Sequence, residues 1–268
     1  MTAAVHALLN GEPATGISLL DRGLHYGDGL FETVRVRQRQ PLYWREHLDR
    51  LERGCRRLAL PFPGADALDR DAQRLLAEQN PGLLKIIVTR GPGERGYRPP
   101  TGVVNRLMLA YPHAPAASGK PLAVTLCRHR LGLNPALAGV KHLNRLDQIL
   151  ARAEWADEFD EGLIRDLDGN LIEAVASNVF LVFGNTLVTP ELNRCGVAGI
   201  MRQKILDQAD SLGYQVDIRQ VDPAEIAQAD ELFLCNSVAG IRPVASVDAH
   251  RWPDHPATRR LIEALNPT

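Results

Sequence analysis

The chain has 268 residues, of which 45% are hydrophobic and 24% charged, and its formal net charge is -1. That size and balance suit one large globular domain or two small ones. They leave no excess charge to attract nucleic acid or an anionic membrane. No apolar run approaches the roughly 18 residues of a membrane span, and residues 1–16 lack the basic start and apolar core of a secretory leader. Cys55, Cys127, Cys195 and Cys235 are widely spaced, with no C-x-x-C pair. This argues against a metal site or a disulfide framework and for buried thiols in a cytoplasmic protein.

In chain order, residues 17–20 read as the end of a short strand, Gly27-Asp28-Gly29 as a turn and residues 30–37 as a strand. A helix opens at Trp44, with Leu48, Leu51, Cys55 and Leu58 recurring at spacings of three and four. A second helix is expected over 65–79, and strands over 83–89 and 106–111. The stretch 112–121, rich in Pro, Ala, Ser and Gly, reads as a linker.

Beyond it, a strand is expected over 122–128 and a helix over 144–159, with Leu146, Ile149, Leu150 and Ala153 on one face. Hairpins follow over 162–175, turning at Asp168-Gly169-Asn170, and over 178–189, turning at Gly184-Asn185. A helix over 199–212, a strand over 215–221, a short helix after Asp222-Pro223, a strand over 231–235 and a helix over 259–265 complete the reading. Mixed strands and helices on either side of a linker give an α/β (α+β) protein of two domains: residues 1–112, a linker at 113–121, and residues 122–268.

Only four lysines are present: Lys85, Lys120, Lys141 and Lys204. A lysine that attacks a carbonyl must be partly desolvated, because a solvated ammonium is too basic. Lys85 lies within a strand, where an outward side chain is expected. Lys120 lies in the linker, and Lys204 on a helix. Lys141 follows Gly139-Val140 at a junction into a helix, a place from which a side chain can be aimed into a cleft. Position alone still favours a plain surface lysine.

A series of strips then bears on the choice. They are Asp21-Arg22-Gly23-Leu24-His25-Tyr26-Gly27-Asp28-Gly29-Leu30-Phe31-Glu32, Glu46-His47-Leu48-Asp49-Arg50-Leu51, Lys141, Glu173, Ser177-Asn178-Val179-Phe180, Gly199-Ile200-Met201-Arg202 and Asp230-Glu231-Leu232-Phe233. In this order the chain resembles the fold-type IV pyridoxal 5′-phosphate (PLP) enzymes, which include D-amino-acid and branched-chain aminotransferases and aminodeoxychorismate lyases.

The resemblance implies a two-domain fold and a homodimer, with Lys141 as the Schiff-base lysine. It implies that Glu173 holds the protonated pyridine nitrogen. Taken alone, Glu173 reads as an exposed carboxylate on a hairpin. Arg50, the backbone N–H groups of Ile200 and Met201, and Asn236 and Ser237 would hold the phosphate. Taken alone, Arg50 is one more arginine on a helix that also carries Arg53, Arg56 and Arg57.

Within the family, the strip from Gly139 to Gln148 and the strip from Thr89 to Tyr97 are similar to those of the aminodeoxychorismate lyases. Phe31 and Tyr97 replace the tyrosine and histidine with which D-amino-acid aminotransferases trap a carboxylate, and Arg95 is retained. The implied reaction turns 4-amino-4-deoxychorismate into 4-aminobenzoate and pyruvate. Arg95, Tyr97, Phe31 and Arg90 are the expected substrate residues, and Arg90 reads equally as half of a strand-end ion pair. Amino transfer on D- or branched-chain amino acids is the alternative.

Overall fold

A computed structural model of the protein describes residues 6–100, 102, 104–112 and 120–265. Two compact units emerge: Met1–Pro115 with Val140–Asn144, and Ala116–Gly139 with Arg145–Thr268. Residues 113–119, most of the expected linker, lie outside the described residues.

The first unit contains β1 (His6–Leu9), β2 (Glu12–Pro13), α1 (Arg22–Tyr26), β3 (Gly29–Arg37), β4 (Gln40–Pro41), α2 (Trp44–Arg57), α3 (Ala65–Glu78), β5 (Leu83–Thr89) and β6 (Asn105–Tyr111). The strands form one antiparallel sheet in the order β2-β1-β6-β5-β3-β4. Period-two alternation sets its faces. Leu30, Val34 and Val36 of β3 and Leu84, Ile86 and Val88 of β5 are buried with Leu48, Leu51 and Cys55 of α2 and Leu68 and Leu75 of α3. Phe31, Thr33 and Lys85 belong to the opposite face, since Thr33 pairs with Lys85 and Phe31 with Ile87.

No strand forms at 17–20, where Leu19 and Leu20 are exposed. Asp21 decides the local structure instead. Its side chain accepts the Gly23 N–H and caps α1, which stops at Gly27.

The second unit contains β7 (Leu122–Leu131), α4 (Leu146–Arg152), β8 (Glu161–Asp166), β9 (Leu171–Ala174), β10 (Asn178–Phe183), β11 (Thr186–Pro190), α5 (Ile200–Gln208), β12 (Gln215–Arg219), β13 (Glu231–Asn236), β14 (Gly240–Val247), β15 (His250–Arg251) and α6 (Pro256–Leu265). Its sheet runs β12-β11-β10-β13-β14-β7-β8-β9, with β15 paired to β14. The pairs β11/β12, β14/β7 and β7/β8 are parallel and the rest antiparallel. Strands β14 and β15 add to the sequence expectation, and Pro243 within β14 masks the first of them.

The helix expected over 144–159 is only α4. Its apolar stripe faces outward: Leu146, Ile149 and Leu150 are 71%, 59% and 54% exposed, whereas Ala151 is fully buried beside Cys127 and Ile164. Among the described residues, no helix is long and apolar enough to cross a membrane.

Candidate active site

Residues 141–143 run antiparallel along the start of β3. Phe31 N–H donates to the Lys141 carbonyl at 3.1 Å, and Leu143 N–H donates to the Gly29 carbonyl at 3.0 Å. Gly29 permits this approach, because a Cβ there would lie 2.8 Å from Leu143 Cδ1. The turn into the segment is made at Gly139, whose φ of 78° is the left-handed region. The pairing sets Lys141 Nζ 4.3 Å from the centroid of the Phe31 ring.

Lys85 Nζ stands 5.5 Å from the same ring centroid. The outward, solvated Lys85 expected from the sequence is therefore corrected. The side chain is half-buried and stands beside Phe31, which strand alternation alone could not assign. Lys85 is the residue the sequence reading missed. Its signal was the β3–β5 register, which needs both strands.

Arg50 is not a surface arginine. It is 8% exposed, and its Nε and Nη2 donate to Glu32 Oε1 and Oε2 at 2.8 and 2.5 Å. His47 Nδ1–H donates to Glu32 Oε2 at 2.6 Å. Burial would raise the Glu32 carboxyl, but the Arg50 charge and the hydrogen bonds from Arg50 and His47 outweigh it and hold the group at about 2.

Arg90 is engaged on every nitrogen. Nε donates to Asp28 Oδ2 at 2.8 Å, Nη1 to the Ala59 carbonyl at 2.9 Å and Nη2 to the Leu58 carbonyl at 2.8 Å. Asp28 also accepts from Arg22 Nε at 3.0 Å. These are the contacts of the ion-pair alternative. Arg95 and Tyr97 lie together on an exposed loop, where Tyr97 is 87% exposed with its ring 5.7 Å from that of Tyr26.

In the second unit, Glu173 is not the exposed hairpin carboxylate. It is 4% exposed, and Oε2 accepts the Val197 N–H at 2.8 Å. Arg145 is its electrostatic neighbour: burial lowers the guanidinium from its ordinary value, while the Glu173 and Asp147 charges raise it.

Helix α5 begins at Ile200 after the extended Gly199, which supplies no side-chain cap. The N–H groups of Ile200 and Met201 thus have no acceptor within the helix. Asn178 packs where a Gly199 Cβ would be, with Oδ1 only 1.9 Å from that position, and its Nδ2 donates to the Val197 carbonyl at 2.9 Å.

Asn236 Nδ2 donates to the Ala176 carbonyl at 3.2 Å and to Ser177 Oγ at 3.1 Å, and its Oδ1 accepts from the Val238 and Ala239 N–H groups. Its amide is engaged in the turn after β13. Ser237 is half-buried in the same turn.

Each unit carries parts suited to one kind of cofactor. The first offers an amine over an aromatic face and an anchored guanidinium. The second offers a buried carboxylate and an uncapped helix start.

The chain is 36% identical over 269 residues to the aminodeoxychorismate lyase of Vibrio harveyi, covering 96% of this chain and 98% of that protein. It is 26% identical to the D-alanine aminotransferase of Bacillus licheniformis over 245 residues, covering 87% and 83%. The crystal structure of 4-amino-4-deoxychorismate lyase from Pseudomonas aeruginosa superposes with a TM-score of 0.92 at 46% identity, covering 97% of this chain and 100% of that one. The model of the class IV amino-transferases matches residues 29–247, from the start of β3 to the end of β14, and the chain belongs to that family.

Proposed function

We propose that the chain is a PLP-dependent lyase that converts 4-amino-4-deoxychorismate to 4-aminobenzoate and pyruvate. The observation that carries this reading is the placement of Lys141 Nζ over the hydroxyl-free ring of Phe31, with Lys85 beside it. An apolar ring face suits a six-membered carbocycle, and a second cation suits a substrate with two carboxylates. Similarity along the whole chain to two lyases supports it.

The residues present fit the cofactor. Lys141 would hold its aldehyde carbon, and Glu173 would keep the ring nitrogen protonated. Arg50, with the N–H groups of Ile200 and Met201, would hold its phosphate. When bound, the cofactor supplies an electron sink for the amine-bearing carbon. Once the substrate amine has displaced Lys141, its freed Nζ would remove the proton from that carbon as general base. The adjacent C–O bond breaks, enolpyruvate leaves and the ring becomes aromatic. A proton on the enolpyruvate carbon completes pyruvate, and Lys141 is the group to deliver it. Arg95 binds a substrate carboxylate.

The outward apolar residues Leu146, Ile149 and Leu150 support a homodimer. The four free, buried cysteines support a cytoplasmic location.

The test is to supply aminodeoxychorismate and measure 4-aminobenzoate and pyruvate, with D-alanine and branched-chain amino acids assayed on the same preparation. Dominant amino transfer would move the protein to the aminotransferase alternative.

A further inference from the structure

Arg22 is buried, although the loop it serves is open to solvent. Residues 93–98 form no helix or strand, and Glu94, Arg95, Tyr97 and Arg98 among them are exposed. The loop is nevertheless stitched to the residues of α1 and just before it. Arg22 N–H donates to the Gly91 carbonyl at 2.9 Å, and Gly93 N–H donates to the Leu20 carbonyl at 3.1 Å. Arg22 Nη1 donates to the Gly96 carbonyl at 2.8 Å and Nη2 to the Tyr97 carbonyl at 3.5 Å. Gly96 N–H donates to the Tyr26 hydroxyl at 3.3 Å. The rings add to this. The Arg22 guanidinium lies 4.7 Å from the centroid of the Tyr26 ring, which lies 5.7 Å from that of Tyr97. The charge of Arg22 is met by Asp28, which accepts from its Nε at 3.0 Å. Asp28 accepts from Arg90 as well, and Arg90 is rooted on the Leu58 and Ala59 carbonyls that follow α2. A buried charge needs such a partner. It does not need the two loop carbonyls, which water would satisfy on an exposed loop, so those bonds add little to stability. What they add is order.

We infer that Arg22 and Tyr26 are positioning residues for the substrate, which clamp the backbone of the 93–98 loop and so fix where the side chain of Arg95 begins. The inference rests on the reading of Arg95 above as a carboxylate-binding residue. Arg95 is the immediate neighbour of Gly96, whose N–H and carbonyl are both held. A mobile loop loses backbone freedom when it engages a ligand, whereas a loop already held has lost it beforehand. The clamp therefore acts on substrate binding and leaves the chemical step alone.

The test uses Arg22→Lys, which keeps a cation beside Asp28 but has no planar fork to span both carbonyls. Formation of 4-aminobenzoate from aminodeoxychorismate is followed in the PLP-loaded protein, and amide hydrogen exchange is measured on the same preparation. KM should rise by about tenfold, the scale of one or two lost hydrogen bonds, with kcat within about twofold. Exchange should quicken in residues 93–98 and stay unchanged in β3 and β5. In an Arg95→Ala background, Arg22→Lys should raise KM no further, because the clamp acts through Arg95. Tyr26→Leu keeps the Arg22–Asp28 pair and releases Gly96 N–H and the Tyr97 ring, and it should raise KM by about threefold.

A folded Arg22→Lys with unchanged KM and unchanged loop exchange would overturn the inference. So would a fall in kcat with faster exchange through β3 and β5, the mark of a merely structural role. Full additivity with Arg95→Ala would overturn it too, since Arg22 would then act elsewhere. Should Arg22→Lys fail to fold, Tyr26→Leu decides: a raised KM with faster loop exchange supports the inference and unchanged values overturn it. Failure of the reading beneath is distinguishable. Wild type that forms no 4-aminobenzoate removes the lyase, and an unaffected Arg95→Ala removes the carboxylate contact. In either case the exchange of residues 93–98 in Arg22→Lys still decides whether the clamp exists.

Discussion

Lys141 and Phe31 are joined twice. The Phe31 N–H donates to the Lys141 carbonyl at 3.1 Å, and the Lys141 ammonium stands 4.3 Å from the centroid of the Phe31 ring. The backbone bond fixes where Lys141 begins, and the ring attracts its charged end. Borohydride reduction of the PLP-loaded protein should therefore fix the cofactor to Lys141, and Lys141→Ala should retain none covalently. Peptide mapping decides. Label on Lys85, which faces the same ring at 5.5 Å, would overturn the assignment.

Glu173 is buried and accepts a backbone N–H from Val197. Glu173→Gln keeps the shape and loses the charge. Turnover should drop by at least roughly a hundredfold, about 2.7 kcal/mol on the barrier. Wild-type turnover in this variant would remove Glu173 from the ring-nitrogen role.

Arg95 stands on an exposed loop, whereas Arg90 is spent on Asp28, Leu58 and Ala59. Arg95→Ala should lower kcat/KM for aminodeoxychorismate by roughly 10- to 100-fold, as for a lost charge-assisted hydrogen bond. PLP affinity should persist. Arg90→Ala should instead lower the melting temperature, because it leaves two backbone carbonyls without their donor and Asp28 with Arg22 alone. Steady-state kinetics and thermal melts on both variants separate the two roles, and the reverse pattern would exchange them.

Acid stability carries the signature of Glu32. Its carboxyl is held at about 2 in the folded protein, against an ordinary value of 4.5. A depressed carboxyl stabilises the fold fully above the unfolded value and loses that contribution as pH falls toward the folded one. The window is thus pH 4.5 down to 2, and the contribution lost across it is about 3 kcal/mol. Urea unfolding as a function of pH should show a shallower decline in Glu32→Gln than in wild type over that window. Parallel curves would contradict the shift.

Gly199 has ordinary extended dihedrals, so only space forbids a side chain there. An alanine Cβ would fall 1.9 Å from Asn178 Oδ1 and force out a buried amide that holds the Val197 carbonyl. Gly199→Ala should destabilise the protein by about 1–3 kcal/mol. It should also weaken PLP more than pyridoxal, because the start of α5 must move. Calorimetry and ligand titration check the two effects.

The sequence by itself determined the family, through ordered strips around Lys141, Glu173 and Gly199, and most of the elements. Alternation along residues 30–37 and 83–89 and the spacing of Leu48, Leu51 and Cys55 are local signals, carried by residues that lie near one another in the chain. They specify which side chains share a face. What that face meets is a long-range matter, and only the tertiary structure decided it. The stripe of Leu146, Ile149 and Leu150 was legible as a stripe, yet α4 buries Ala151 and turns the stripe outward. Lys85 joined Phe31 through the pairing of β3 with β5, Arg90 was claimed by Asp28, and Arg50 by Glu32. In each case the deciding partner lies on a different element, and neither propensity nor periodicity records which distant group satisfies a buried charge. Burial makes that partner obligatory, and the fold alone supplies it.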